Sequence, residues 1–131
     1  SAKFAVSGVN FGLFCSTPSV TLARNVSRKQ AMEMLLTGEF IDAATAKTYG
    51  LVNRVVPPPD LDAEVARLAA TVAAKPPQAG ASGKRAFYRH LEMGLEGAYA
   101  LASEVISCNA ASEEGREGLD AFLEKRKPSW R

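Results

Sequence analysis

The sequence predicts a mainly α-helical protein with a short β element, and three observations support this prediction. Apolar residues recur at helical spacing along most of the 131 residues. Capping residues or prolines stand at the predicted helix starts, and glycines stand at several of the predicted ends. The predicted strand at residues 51–56 is short and is followed directly by three prolines.

Three short helices are predicted before that strand, and each begins at a residue whose side chain can cap a helix. Their starts are marked by Ser16, with Pro18 at the first helical position, by Ser27 and by Asp42. Their ends fall near Arg24, at Gly38 and at Gly50. Glycine at the last two ends suits the left-handed conformation that commonly terminates a helix.

Three longer helices are predicted after the strand. The first begins at Asp60, carries a continuous apolar stripe and ends before Pro76. The second covers residues 78–93 and contains two glycines. The third covers residues 95–109, and its apolar residues occupy more than half of its circumference. Because such a helix must be covered on two sides, we expect it to contact another subunit.

A last helix is predicted to end in a basic tip just before Pro128. Its apolar face consists of Leu119, Phe122 and Leu123. Its charged ends are Glu113 and Glu114 after Ser112, and Lys125, Arg126 and Lys127 before the proline. Acids at the start and bases at the end suit the helix dipole. The segment is therefore either a docking helix with an anion-binding tip or an ordinary amphipathic helix with solvated charges.

Composition argues against several classes of function. A net charge of +2 is too small to indicate nucleic-acid binding. No apolar run has the length of a membrane helix and no signal peptide is recognised, so we expect no membrane partner. Cys15 and Cys108 form neither a disulfide framework nor a metal-ligand pair, so no metal site is expected. Reduced thiols indicate the cytoplasm, or the mitochondrial matrix if the source is eukaryotic.

Four segments occur in an order that a known enzyme family shares. The first three are Ala-Lys-Phe at 2–4 with Gly-Val-Asn-Phe-Gly at 8–12, Ala-Met-Glu-Met-Leu-Leu-Thr-Gly at 31–38, and Ala-Lys-Thr-Tyr-Gly-Leu-Val-Asn-Arg-Val-Val at 46–56. The fourth is Phe122 followed by Glu-Lys-Arg-Lys-Pro at 124–128. Together they make the chain resemble the enoyl-CoA hydratase/isomerase (crotonase) family. The resemblance covers the latter half of a family member, so an N-terminal half is expected upstream.

The resemblance implies a fold and an assembly. Residues 1–57 would complete the α/β spiral core of a ClpP/crotonase fold, and residues 58–131 would form its helical oligomerisation region. The partners that it implies are an acyl-CoA and further copies of the protein, as a trimer or a dimer of trimers. Coenzyme A enters as a thioester substrate, and no metal or redox cofactor is implied.

The resemblance also implies candidate catalytic residues. Family enzymes polarise the thioester carbonyl with two backbone amides of the N-terminal half while carboxylates move protons. Gly8 corresponds to the second glutamate of hydratases, and glycine cannot transfer a proton. Cys15 and Ser16 occupy a turn in which some relatives carry an aspartate, so they are the candidates for lining the acyl pocket. A thiol there could act as an acid, a base or a nucleophile. Alternatively, Cys15 is a small buried apolar residue and Ser16 is only a helix cap.

By the same resemblance, Phe122 and Lys125 contact the CoA nucleotide, often from a neighbouring subunit. An ammonium beside a phosphate makes a charge-assisted contact, and an aromatic ring can pack near the base. The full-length protein would then carry out hydratase/isomerase-type lyase chemistry of fatty acid metabolism, whereas this chain alone is expected to be inactive. Three alternatives remain: another thioester-enolate reaction such as isomerisation or decarboxylation, a non-catalytic acyl-CoA-binding or oligomerisation module, and a helical module that no longer binds CoA.

Overall fold

The computed structural model describes residues 2–130, in which helices dominate and a small two-stranded sheet is present. The strands are β1 (Lys3–Phe4) and β2 (Ile41–Asp42). The α-helices are α1 (Ser16–Asn25), α2 (Arg28–Thr37), α3 (Ala43–Thr48), α4 (Leu61–Ala73), α5 (Pro77–His90), α6 (Leu95–Ala111) and α7 (Glu113–Leu123). Short 3-10 helices cover Ser7–Phe11 and Pro58–Asp60. The predicted class, mainly α with a short β element, is confirmed.

The sheet lies elsewhere in the chain than the sequence predicts. β1 pairs antiparallel with β2, so that Lys3 is opposite Asp42 and Phe4 is opposite Ile41. Residues 51–56 are not a strand in the structure, and the prediction for them is wrong. Their first amides donate instead to the carbonyl of Ala46. A stretch of residues with β propensity becomes a strand only when a neighbouring strand pairs with it.

Side-chain caps fix two of the first three helices, as the sequence predicts. The Ser27 hydroxyl accepts from the Gln30 amide at 3.4 Å, and α2 ends at Gly38, whose φ is +63°. The Asp42 carboxylate accepts from the Thr45 amide at 2.8 Å, and this hydrogen bond lowers the pKa of Asp42. Each side chain thereby satisfies one of the amides that are left free at the start of its helix.

α1 begins earlier than the sequence predicts. Cys15 is at its N-cap position, and the Ser19 amide donates to the Cys15 carbonyl at 2.9 Å. Ser16 is therefore the first helical residue, and the prediction that it caps this helix is wrong. Its carbonyl instead accepts from the Ser19 hydroxyl at 2.6 Å. Pro18 falls at the third helical position, where it has no intrahelical hydrogen bond to lose.

The structure divides into a compact unit that ends at Glu64 and a second unit that begins at Val65. The core of the first unit is built by α1 and α2, together with half-buried side chains from the loops around them. Its buried residues are Leu22, Val26, Ala31, Met34 and Leu35. Half-buried side chains that pack against this core include Val6, Cys15, Ile41, Tyr49 and Leu51.

The second unit is built around the packing of α5 against α6, with α7 in contact with both. Leu101 of α6 is buried, whereas Leu95, Tyr99 and Ile106 of the same helix are exposed. A hydrogen bond of 3.0 Å from the Ser82 hydroxyl to the Asn109 side chain joins α5 to α6. Coverage of the exposed side of α6 by another subunit stays a prediction.

Glu114 of α7 holds the start of α5. Its side chain is buried, and its two oxygens accept from the amides of Gln78 at 3.1 Å and Ala79 at 3.0 Å. Pro76, at the N-cap position of α5, makes no side-chain cap hydrogen bond. The carboxylate of one helix therefore satisfies free amides of another, at the end where the helix dipole favours a negative charge.

We expect Glu114→Gln to lower the free energy of unfolding by about 1–2 kcal/mol, because the amide NH2 cannot accept from a backbone N–H and the charge is lost. Urea unfolding followed by circular dichroism measures this change. The matched control is Glu113→Gln, since the exposed Glu113 shares the first turn of α7 and its dipole. The control should lose less than about 0.5 kcal/mol. Equal losses in both variants would show that the contact to α5 contributes nothing.

Candidate functional site

The residues that the sequence singles out occur in both units. Gly8, Cys15 and Ser16 belong to the first unit, and Phe122 and Lys125 belong to the second. The structure brings Gly8 and Cys15 together, and it brings Phe122 and Lys125 together.

Gly8 and Cys15 meet through a loop that folds back on itself. The 3-10 helix Ser7–Phe11 ends at Gly12, whose φ is +76°, and the Leu13 amide then donates to the Gly8 carbonyl at 3.0 Å. This reversal brings Cys15 to the Gly8 amide, which donates to the Cys15 sulfur at 3.2 Å. Cys15 is half-buried against the core, whereas Ser16 is exposed.

The loop leaves no room for a side chain at position 8. A Cβ atom added to Gly8 would lie 2.6 Å from the Cys15 sulfur and 2.7 Å from the Leu13 carbonyl oxygen. The second of these is a backbone atom, so it cannot rotate away as a flexible side chain could. A glutamate at this position would therefore require the loop to take another path.

The contact with Gly8 fits both interpretations of Cys15. A thiol that accepts a backbone hydrogen bond is held in one place, as a reacting group must be. The same contact and the half-burial are also what a small packing residue would show. A cavity of about 410 Å³ in the first unit is lined mainly by apolar residues, which come from β1, α1, α2 and the segments beside them, but not by Cys15 or Ser16. The roles of these two residues stay predictions.

The end of α7 differs from the sequence prediction. The helix ends at Leu123 and not at Pro128, and Lys125 takes the left-handed conformation with a φ of +54°. The Lys125 amide donates to the Phe122 carbonyl at 3.2 Å, and the Arg126 amide donates to the Ala121 carbonyl at 3.0 Å. These two bonds form a Schellman turn, which closes a helix by reversing the chain. Lys125 therefore lies beyond the end of the helix, and the prediction that the helix continues through the basic tip to Pro128 is wrong.

Lysine is an unusual residue for this position in the turn. A left-handed conformation costs an L-residue roughly 1–2 kcal/mol, so glycine is the residue that most often occupies it. Among the described residues, Lys125 is the one non-glycine residue with a positive φ. Backbone strain of this kind occurs preferentially at functional positions.

Phe122 lies beside this turn and is 80% exposed. Leu119 and Leu123 of the same helix are exposed as well. An aromatic ring this accessible is available to a flat ligand or to another protein surface.

Glu117 holds the basic tip, a role that the sequence alone does not indicate. Its carboxylate accepts from both terminal nitrogens of Arg126, at 2.6 and 2.9 Å, and from the Ser129 amide at 2.7 Å. The ε nitrogen of Arg126 donates to Glu124 at 2.5 Å. Hydrogen bonds to Glu117 and then to Glu124 raise the pKa of Arg126 further above its usual range. These spacings match no helical period, so no sequence pattern pointed to them.

Within residues 2–130, no cluster of three or more histidine, cysteine, aspartate or glutamate side chains could hold a metal ion. Within the same residues, no helix is both long and apolar enough to cross a membrane.

Comparison with known proteins identifies the family. The family model for enoyl-CoA hydratase/isomerase matches residues 1–131. The structure superposes on an enoyl-CoA hydratase of Mycobacterium smegmatis with a TM-score of 0.97, at 55% identity over 99% of this chain. It superposes on human enoyl-CoA hydratase domain-containing protein 3 with a TM-score of 0.94, at 48% identity over 98% of this chain. These neighbours confirm the predicted crotonase-type fold.

Sequence comparison gives the same result. Mitochondrial enoyl-CoA hydratase domain-containing protein 3 of Mus musculus is 48% identical over 129 residues, which is 98% of this chain. The match covers only 43% of the mouse protein and 51% of each of the two solved chains. The chain thus spans about half the length of these relatives.

Proposed function

The chain belongs to the enoyl-CoA hydratase/isomerase family, and on that premise we propose that the protein carrying it binds an acyl-CoA thioester. In this proposal the chain supplies the carboxyl-terminal half of the enzyme, and an N-terminal half supplies the amides that polarise the thioester carbonyl. The thioester is a substrate, and no metal or redox cofactor takes part.

The observation that carries the proposal is the conformation of Lys125. A lysine in the left-handed position of a Schellman turn is less stable there than glycine. A function of the ammonium would explain why lysine stands at this position. We propose that the ammonium contacts a phosphate of the CoA nucleotide and that the exposed Phe122 packs near its base.

For the reaction we propose hydratase/isomerase-type chemistry on the enoyl thioester in the full-length protein. Gly8 offers no acid and leaves no space for one. In this proposal the proton donor or acceptor comes from Cys15, from Ser16 or from residues outside this chain. Isomerisation or decarboxylation through the same enolate is the related alternative.

Assembly and compartment belong to the same proposal. The exposed apolar side chains of α6 and α7 would be covered in a homo-oligomer, a trimer or a dimer of trimers. The apolar side chains exposed in the first unit, such as Phe11 and Phe40, would be covered by the N-terminal half. The mouse relative carries the word mitochondrial in its name. We propose the mitochondrial matrix for a eukaryotic protein and the cytoplasm for a bacterial one.

A second candidate is a non-catalytic protein that binds acyl-CoA or supports oligomerisation. The observation that favours it is again Gly8, since the position of the usual acid is sterically closed. The two candidates agree on CoA binding and differ in turnover.

Calorimetry on the protein that carries this chain tests CoA binding. We expect butyryl-CoA to bind about one to two orders of magnitude more tightly than butyryl-pantetheine, because a shielded contact to phosphate is worth roughly 1.5–3 kcal/mol. Equal affinities would show that the nucleotide is not recognised, and the proposal would then fail.

A further inference from the structure

The tail after α7 is folded back along its own helix by one carboxylate. Glu117 is nine residues before Arg126 and twelve before Ser129, yet it contacts both. The Trp130 ring follows in the same direction and lies over Gly118, where an added Cβ would meet the ring at 3.4 Å. The reversed chain is thereby held against α7 on both sides of Pro128.

The strained residue Lys125 lies in the chain between Glu124 and Arg126, which a hydrogen bond joins. Glu124 precedes it in the chain, and Arg126 follows it with hydrogen bonds to both Glu117 and Glu124. The direction of the Lys125 side chain depends on its backbone conformation, because the Cα–Cβ bond rotates with φ. Contacts that hold Arg126 in place therefore also limit the positions that the Lys125 ammonium can reach.

The contact between Glu117 and Arg126 can hold the Lys125 backbone in its conformation only if the contact is strong enough. Exposed ion pairs usually contribute little to stability, but bidentate arginine–carboxylate pairs within a network are the exception. Here the pair is bidentate, a second acid binds the ε nitrogen, and Glu117 also accepts from a backbone amide. Such a network can offset the strain of the left-handed conformation at Lys125.

We propose that Glu117 is a positioning residue for CoA recognition, which through Arg126 holds the Lys125 turn so that its ammonium meets the nucleotide. The inference rests on the proposed function, and it assigns different roles to the residues of the basic tip. Lys125 contacts the ligand, whereas Arg126 is occupied by carboxylates and is not a phosphate ligand.

A double-mutant cycle on the protein that carries this chain tests the inference. Glu117→Gln should weaken CoA binding roughly three- to tenfold and leave binding of a pantetheine thioester unchanged. In a Lys125→Ala background, Glu117→Gln should change the CoA affinity by less than about twofold, because no ammonium remains to be positioned. Glu113→Gln, on the same helix, is the matched control and should leave both affinities unchanged. Urea unfolding of each variant verifies that it is folded.

Arg126→Gln removes the other half of the bridge and should reproduce the loss seen with Glu117→Gln. If Arg126 were itself a phosphate ligand, Glu117→Gln would release it and tighten CoA binding, which would overturn the inference. An equal loss from Glu117→Gln with and without Lys125 would also overturn it, since the role would then be general stability. If Lys125→Ala weakens CoA binding but Glu117→Gln does not, this inference alone fails. If Lys125→Ala loses nothing, the proposed CoA contact fails first.

Discussion

Purified alone, the 131-residue chain is expected to show no measurable hydration of crotonyl-CoA. By the family resemblance, both amides that polarise the thioester carbonyl lie in the N-terminal half. Removing a single donor of this kind lowers kcat by about a hundredfold or more. Gly8 removes an acid as well, so the effects of lost polarisation and lost proton transfer should combine. Loss of absorbance by the conjugated thioester measures the rate.

The control for this result is a mock purification from cells that lack the expression plasmid. Turnover that co-elutes with the chain and scales with its concentration would contradict the prediction.

The Gly8→Glu variant should gain no activity, because its Cβ would clash with the Cys15 sulfur and the Leu13 carbonyl. Overpacking of this kind typically costs about 1–3 kcal/mol, so the variant should also be less stable.

Replacing Lys125 by glycine should move affinity and stability in opposite directions. Loss of the ammonium is expected to weaken CoA binding by about one to two orders of magnitude in the protein that carries this chain. Glycine takes the left-handed conformation without strain, so the free energy of unfolding should rise by about 1 kcal/mol. Calorimetry with CoA and urea unfolding measure the two effects on the same protein sample.

Lys127→Gly is the matched control, since Lys127 is an exposed lysine two residues away that does not have a positive φ. It should change CoA affinity by less than about threefold and should not stabilise the fold. A Lys125→Gly variant that is more stable and still binds CoA normally would show that Lys125 is only a solvated charge.

Helix positions could be predicted because local chemistry decides them. Ser27, Asp42 and Ser112 each accept from an amide three residues later. Short polar side chains of this kind can be recognised in a sequence as helix caps. The apolar stripes of α4 and α6 were equally visible, since a period of 3.6 residues needs no tertiary information.

The remaining features depend on partners distant in the chain. Residues 51–56 have the composition of a strand, but a strand needs a neighbour, which no local pattern reveals. The contact between Gly8 and Cys15 arises because the loop reverses between them, at Gly12 and Leu13. Sequence could indicate that Gly8 lacks an acid, but only the folded loop shows that an acid would not fit.

The end of α7 is another feature that the sequence does not predict correctly. Lysine has a good helix propensity, which favoured extending the helix through the basic tip to Pro128. The structure instead reverses the chain at Lys125, where glycine would have been the recognisable signal. Glu117 was missed for the same reason, because its contact with Arg126 exists only after that reversal.

The engagement of Arg126 also sets the range over which the tip acts on a ligand. Three bases in a row suggest a strong local field, but Glu117 and Glu124 lie against the central one. At distances greater than a Debye length of about 10 Å, the three bases and the two acids together act as little more than a single positive charge. The basic tip therefore gives little long-range electrostatic steering to a polyanionic ligand. The rate at which such a ligand associates with the protein should depend only weakly on ionic strength. Discrimination between ligands then arises after encounter, in how long the nucleotide stays bound.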